Sequence, residues 1–107
     1  MIELTDLKDA EALLDGKKGD GILMIHKPGC PACTYTKPKF WEASKSDAGR
    51  KAKWYAYSTQ HGITGEFIQK YKCSGVPAIY RCKEGSEELK PYGGNRSVED
   101  LAKFATE

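Results

Sequence analysis

The residues best suited to chemistry in this chain are two cysteines in the stretch Cys30-Pro31-Ala32-Cys33. Thiols at this spacing can close and open a disulfide without unfolding their surroundings, and such exchange runs through the thiolate. An ordinary cysteine titrates near ~8.5, so the setting has to lower that value. Gly21-Ile22-Leu23-Met24-Ile25-His26 is a short apolar run bounded by Lys27-Pro28-Gly29, the pattern of a buried strand. The cysteines follow just past its carboxyl end. Pro31 has its φ preset for a first helical turn and lacks only an N–H that would be unpaired there, so a helix begins at about Pro31 with Cys30 at its N-terminus. Free N–H groups and the positive end of the helix dipole stabilise an anion at that place, and His26, Lys27, Lys37 and Lys39 add positive potential. Cys30 is the expected nucleophile and Cys33, one turn inside, the resolving thiol.

A Cys-x-x-Cys pair is also half of a zinc site, with Cys73, Cys82, His26 and His61 as the other candidate ligands. Structural zinc takes its second pair at close spacing, and the gap from Cys73 to Cys82 is too long for one knuckle. The redox reading is therefore preferred, and neither a metal nor another cofactor is expected. With 107 residues, the chain is expected to form one domain over 1–107, large enough to bury a core without a disulfide framework. The formal charge of +2 comes from lysines interspersed with acids, which describes a solvated surface and offers no basic groove for nucleic acid. Trp54, Tyr55 and Tyr57 lie in an alternating strand pattern and are expected in the core, not on a base-stacking surface. No apolar run approaches the ~18 residues of a membrane span, and Met1-Ile2-Glu3-Leu4-Thr5-Asp6 has neither the basic region nor the apolar core of a signal peptide. These features lead to the expectation of a cytoplasmic, monomeric protein with no membrane or nucleic-acid partner.

The elements that position the cysteines alternate. A short strand at Ile2 to Leu4 precedes a helix marked by Leu7, Ala10 and Leu14, capped by Thr5 or Asp6 and ending near Gly16. The Ile22 to His26 strand leads into a long helix from about Pro31 to Ala48, closed by Gly49, with Pro38 inside it removing a hydrogen bond. Lys53 to Ser58 reads as a strand, and Ile63, Phe67 and Tyr71 share a face of a third helix. Val76 to Cys82 is a strand with a proline at its entrance, and Lys83-Glu84-Gly85-Ser86 turns it into another ending near Tyr92. Ser97-Val98-Glu99-Asp100 caps a last helix whose stripe is Val98, Leu101, Ala102 and Ala105. The order is βαβαβαββα, an α/β chain.

Four features in this order resemble the thioredoxin superfamily across nearly the whole chain. They are the Cys-x-x-Cys after the second strand, Pro38 eight residues past Cys30, Gly75-Val76-Pro77 opening a later strand, and Tyr92-Gly93-Gly94-Asn95-Arg96 before the last helix. The ending, with Tyr92, Gly93, Arg96, Leu101 and Phe104, is most similar to the catalytic domain of protein disulfide isomerases. The resemblance implies a thioredoxin-like fold, a central mixed β-sheet flanked by helices. It implies that Cys30 attacks a substrate disulfide, that Cys33 then attacks Cys30 to release the reduced product, and that protein disulfides and dithiols are the partners. It further implies a cis bond at Val76-Pro77, although an isolated X-Pro bond is cis in only about one case in twenty, and substrate main chain pairing at Gly75, Val76 and Pro77. Gly75 suits a close backbone approach there. A reductase or glutathione is the candidate electron source.

The chain also departs from that pattern. Gly29 stands where the family usually has a tryptophan, and Met24, six residues before Cys30, stands where it commonly buries an acid that moves the proton on and off the second thiol. Deprotonation of Cys33 then relies on water or another base, and longer-lived mixed disulfides are expected. Lys27-Pro28-Gly29-Cys30-Pro31 and Gly93-Gly94 look locally like a glutaredoxin, which makes a glutathione-using reductase the first alternative. A non-catalytic peptide-binding module on the same scaffold is the second, since fold does not fix function. Cys73 and Cys82 are not expected to pair, because an extended strand at ~3.3 Å per residue separates them beyond the ~7 Å disulfide limit. Cys82 alternates with Ala78 and Tyr80 and is expected in packing; Cys73, in the loop before Pro77, is a candidate exposed regulatory thiol or a small packed residue.

Overall fold

A computed structural model describes residues 1–73, 75–86, 88, 90–94 and 97–106. Strand β2 (Gly21–His26) lies between β3 (Trp54–Ser58) and β4 (Ala78–Cys82), and β1 (Ile2–Leu4) completes the order β1-β3-β2-β4. The first three strands run parallel and β4 runs antiparallel to β2, which gives the mixed sheet expected. All six residues of β2 and all five of β3 are buried, as strands covered on both faces must be. That also removes Trp54, Tyr55 and Tyr57 as a base-stacking surface.

Two apolar layers sandwich the sheet. On one side α1 (Leu7–Leu14) and α3 (Gly65–Lys70) contribute Ala10, Leu13, Leu14 and Phe67 against Leu23, Ile25, Tyr55, Tyr57 and Tyr80. On the other, α2 (Pro31–Lys45) and α4 (Val98–Ala105) contribute Phe40, Ala43, Leu101, Ala102 and Ala105 against Ile22, Met24, Trp54, Ala56 and Ile79. The strand period of two explains the division, since successive residues of β2 point to opposite layers. Among the described residues, no helix is long and apolar enough to cross a membrane.

Local chemistry sets the helix limits. Asp6 is the cap of α1 and accepts from the Lys8 N–H at 2.9 Å, while Ser97 accepts from the Asp100 N–H at 3.2 Å to start α4. Helix α2 continues through Pro38 but ends three residues before the expected Ala48. Ser46 turns extended (φ −68°, ψ 160°), donates its hydroxyl to the Ala43 carbonyl at 2.7 Å and accepts the Gly49 N–H at 3.0 Å. Gly49 therefore opens a separate 3-10 turn, Gly49–Lys51, folded so tightly that a Cβ on it would collide with the Ala43 carbonyl oxygen. Similarly, β4 begins at Ala78 and not at Val76, because the nitrogen of Pro77 has nothing to donate to a ladder; the Val76–Pro77 bond is cis.

Among the described residues, the last strand of the expected order is represented by a single bridge. Pro91 bridges Tyr80 in antiparallel fashion, flanked by Arg81 N–H to Lys90 O at 3.0 Å and Tyr92 N–H to Ile79 O at 2.7 Å. Its remaining members Glu87 and Leu89 lie outside the described residues, as do Asn95 and Arg96 of the Tyr/Gly/Arg ending. Tyr92 itself packs on Phe104, ring centroids 4.7 Å apart, which ties the approach to α4 into the core.

Candidate active site

Strand β2 ends at His26, and the Lys27–Gly29 turn that follows delivers Cys30 to the N-terminus of α2. Gly29 takes φ +74°, a left-handed conformation in which a tryptophan would be strained. Cys30 is the N-cap: its backbone is extended (φ −92°, ψ 112°) and its sulfur accepts the Cys33 N–H at 3.2 Å. The Cys30 carbonyl accepts both the N–H of Thr34 at 3.0 Å and its hydroxyl at 3.1 Å. Opposite, the Cys30 thiol lies 3.7 Å from the Val76 carbonyl oxygen, so the cis Val76–Pro77 step and the helix N-terminus share one end of the sheet. Both cysteines are free thiols, with 7% and 3% of their surfaces exposed.

The two thiols are driven apart electrostatically. Hydrogen bonding from the Cys33 thiol, then from the backbone N–H groups of Cys33 and Ala32, with the charge of Lys27, holds Cys30 below the ordinary thiol range despite partial burial. Burial, followed by hydrogen bonding to Cys30, pushes Cys33 up. This is the asymmetry that an attacking and a resolving thiol require. Site-resolved labelling with iodoacetamide between about pH 5 and about pH 10 should therefore give Cys30 a midpoint below that of free cysteine and Cys33 one above it. Coincident midpoints would contradict the arrangement.

Of the four residues expected to add positive potential around Cys30, His26 needs correction. Burial, aided by Lys37, lowers the pKa of His26, so its imidazole is neutral at neutral pH and adds no positive charge. Lys37 is engaged with Glu3 at 3.0 Å, and Lys39 lies over the Tyr35 ring, 4.5 Å from its centroid. Lys27 is the lysine whose charge acts on both thiols.

Of the other expected site residues, Gly75 is exposed, and a Cβ added to it would meet no atom of the described residues beyond its chain neighbours within 4 Å. Packing within the chain does not demand a glycine there. Cys73 is not an exposed thiol: it is 5% exposed in the layer with Tyr71 and Tyr80, and burial raises its pKa. Cys82 is buried in the same layer with its pKa raised to about 12, as its alternation with Tyr80 implied. Among the described residues no group of three or more His, Cys, Asp or Glu side chains could hold a metal ion.

A recess of about 350 Å³ opens beside the pair, lined by Cys33 with His26, Lys27, Lys37, Ser58 and Gln60 among others. Residue class alone does not mark it in the sequence, because it joins the end of β2, the first turns of α2 and the segment after β3. Strand periodicity carried part of the signal, since His26 shares its face with Met24 and Ile22.

No family model matches the chain. Protein disulfide-isomerase A4 of Rattus norvegicus is 31% identical over 104 residues, which cover 94% of this chain and 16% of the relative. The mouse protein of the same name matches to the same extent. The chain thus spans about one-sixth of the length of these curated relatives. Among solved structures, the J-Trx1 fragment of ERdj5 superposes with a TM-score of 0.77 at 19% identity, covering 96% of this chain and 48% of that one. A thioredoxin of Malassezia sympodialis gives 0.71 at 14% identity, covering 100% of this chain and 92% of that one. These likenesses carry the fold, and the residues described above carry the chemistry.

Proposed function

Because the chain belongs to the thioredoxin superfamily as a protein disulfide-isomerase-like domain, we propose that it is a thiol–disulfide oxidoreductase exchanging its Cys30/Cys33 dithiol with disulfides of protein chains. The observation that carries the reading is the Cys33 N–H directed at the Cys30 sulfur from inside the first turn of α2, where a thiolate is stabilised and its partner is already in place. The Cys30 thiolate attacks one sulfur of a substrate disulfide, forming a mixed disulfide and expelling the other sulfur as a thiolate. Cys33 then attacks Cys30, the intramolecular disulfide forms, and the substrate leaves carrying both electrons.

Gly75, Val76 and Pro77 are the proposed substrate-binding segment. They adjoin Cys30 through the Val76 carbonyl, and the open space over Gly75 admits an extended main chain. The test is reduction of a protein disulfide such as that of insulin by catalytic amounts of the chain, with dithiothreitol as the electron source. Acceleration over dithiothreitol alone is expected. Activity confined to small glutathione mixed disulfides would instead favour the glutaredoxin-like reading. Binding of unfolded chains that is equal in a double Cys→Ser variant, with no exchange, would favour a peptide-binding module. Equilibration against a glutathione redox buffer then places the pair between about −270 mV and about −120 mV, which decides the direction of net electron flow.

A further inference from the structure

Resolution of the mixed disulfide needs the Cys33 thiolate, yet Cys33 is the thiol that burial keeps protonated. Met24, where the family commonly has an acid, is fully buried among apolar side chains and has no proton to exchange. The recess beside Cys33 is lined by no carboxylate among the described residues, but it is lined by His26. Resting on the oxidoreductase reading above, we propose that His26 is the base that takes the proton from Cys33 in the resolving step, directly or across one water held in the recess.

Three observations converge. First, the period-two alternation of β2 puts His26 on the face of Met24 and Ile22, the layer that packs α2, and Cys33 is the first inward-facing residue of that helix. Second, the Nε2 of His26 is buried and has no hydrogen-bond partner among the described residues. Leaving such a buried atom unpaired costs free energy, so its retention calls for a donor that arrives during function. Thr36, one turn after Cys33 on the same inward face of α2, also has a buried hydroxyl oxygen without a partner, and the two mark this interface as a place for an exchangeable proton. Third, the imidazole is neutral at working pH. Burial and Lys37 on α2 lower its pKa, Glu3 on β1 raises it, and His61 in the turn after β3 lowers it again; Lys27, at the end of its own strand, adds a further positive charge at the recess.

The Cys33 S–H proton passes to His26, and the resulting thiolate attacks the Cys30 sulfur of the mixed disulfide. The Cys33–Cys30 bond forms, the Cys30–substrate bond breaks, and the substrate sulfur leaves as a thiolate that takes up the proton from the imidazolium or from solvent. The dithiol is oxidised by two electrons and the substrate disulfide reduced by the same two.

An aromatic disulfide that releases a coloured thiol, 5,5′-dithiobis(2-nitrobenzoate), separates the two steps in a stopped-flow experiment. The first burst reports attack by Cys30 and the second reports resolution by Cys33. In the wild-type protein the second phase should level off above the titration of His26. In His26→Phe and His26→Gln it should fall by about a hundredfold near neutral pH, the lower end of what a positioned base supplies, and should rise about tenfold per pH unit as only the spontaneous thiolate fraction remains. The first phase should change little, and added imidazole should restore the second phase in His26→Ala while leaving wild type unaffected. A second phase in the His26 variants with wild-type rate and pH profile would overturn the proposal. Should a variant fail to fold, a wild-type second phase rising tenfold per pH unit throughout would overturn it as well. A wild-type protein with a first burst and no second phase would contradict resolution itself, whereas one with neither phase would refute the oxidoreductase reading beneath it.

Discussion

Replacing Cys33 with serine should turn the chain from an exchanger into a trap. Cys30 keeps the backbone N–H at 3.2 Å and the helix N-terminus, so it still attacks, but the intramolecular thiol that would release the product is gone. Well-oriented intramolecular groups act at effective molarities of about 10⁵ M and above, whereas an external thiol is present at millimolar levels. Catalytic turnover should therefore fall by about 10³-fold or more, and a protein-linked mixed disulfide at Cys30 should accumulate, visible as a dithiothreitol-sensitive adduct by mass spectrometry. Cys30→Ser should lose turnover to the same depth and form no adduct. Its remaining thiol at Cys33 is 3% exposed and pushed above the ordinary thiol range by burial. Adducts forming equally on both variants would mean that the roles of the two cysteines are not distinct.

The order of the elements and the placing of the cysteines were legible in the sequence because they depend on local rules. Pro31 has its φ fixed at a helical value and suits the first turn, Asp6 and Ser97 cap because their side chains reach N–H groups two or three residues on, and period two divides β2 between layers. The end of α2 was not legible. It depends on the Ser46 hydroxyl bridging Ala43 and Gly49, and the same residues could have continued the helix to Ala48. His26 was misread for a related reason: counted as a residue near Cys30 it looks cationic, but its charge is decided by burial, which arises only when α2 closes over the end of β2. For Cys73 the loop position left an exposed and a packed placement open, and tertiary packing decides for the second, in the layer with Tyr71 and Tyr80. Local sequence thus indicated where groups stand along the chain, and tertiary contact determined their protonation.

The same distinction sets the expected behaviour of Met24→Asp, the change that would restore the acid common in the superfamily. Met24 is 0% exposed and sits on the central strand between Ala56 of β3 and Ile79 of β4, in a layer with Phe40, Trp54 and Leu101. No ion pair among the described residues reaches this layer. An uncompensated buried charge costs about 3 to 5 kcal/mol, which for a domain of this size lowers the thermal midpoint by about 15 °C or more. The sign with pH follows from the pKa. Burial raises the folded value above the unfolded ~3.9, so below about pH 4 both states are protonated and only the lost packing remains. As pH rises the unfolded state ionises first, and the deficit should widen by up to about 1.4 kcal/mol per pH unit until the folded carboxyl also ionises. Met24→Leu, close in volume, should cost less than about 1.5 kcal/mol, and Met24→Asn should show a deficit that does not vary with pH. Denaturant titrations of the three variants at about pH 4 and about pH 7 check this. If Met24→Asp were as stable as Met24→Leu at both, a water-filled or polar environment would have to exist around residue 24. If the deficit widens as expected, burial holds the introduced carboxyl protonated in the folded state over the pH range between the two pKa values, and an acid at this position is carried only at a cost in stability.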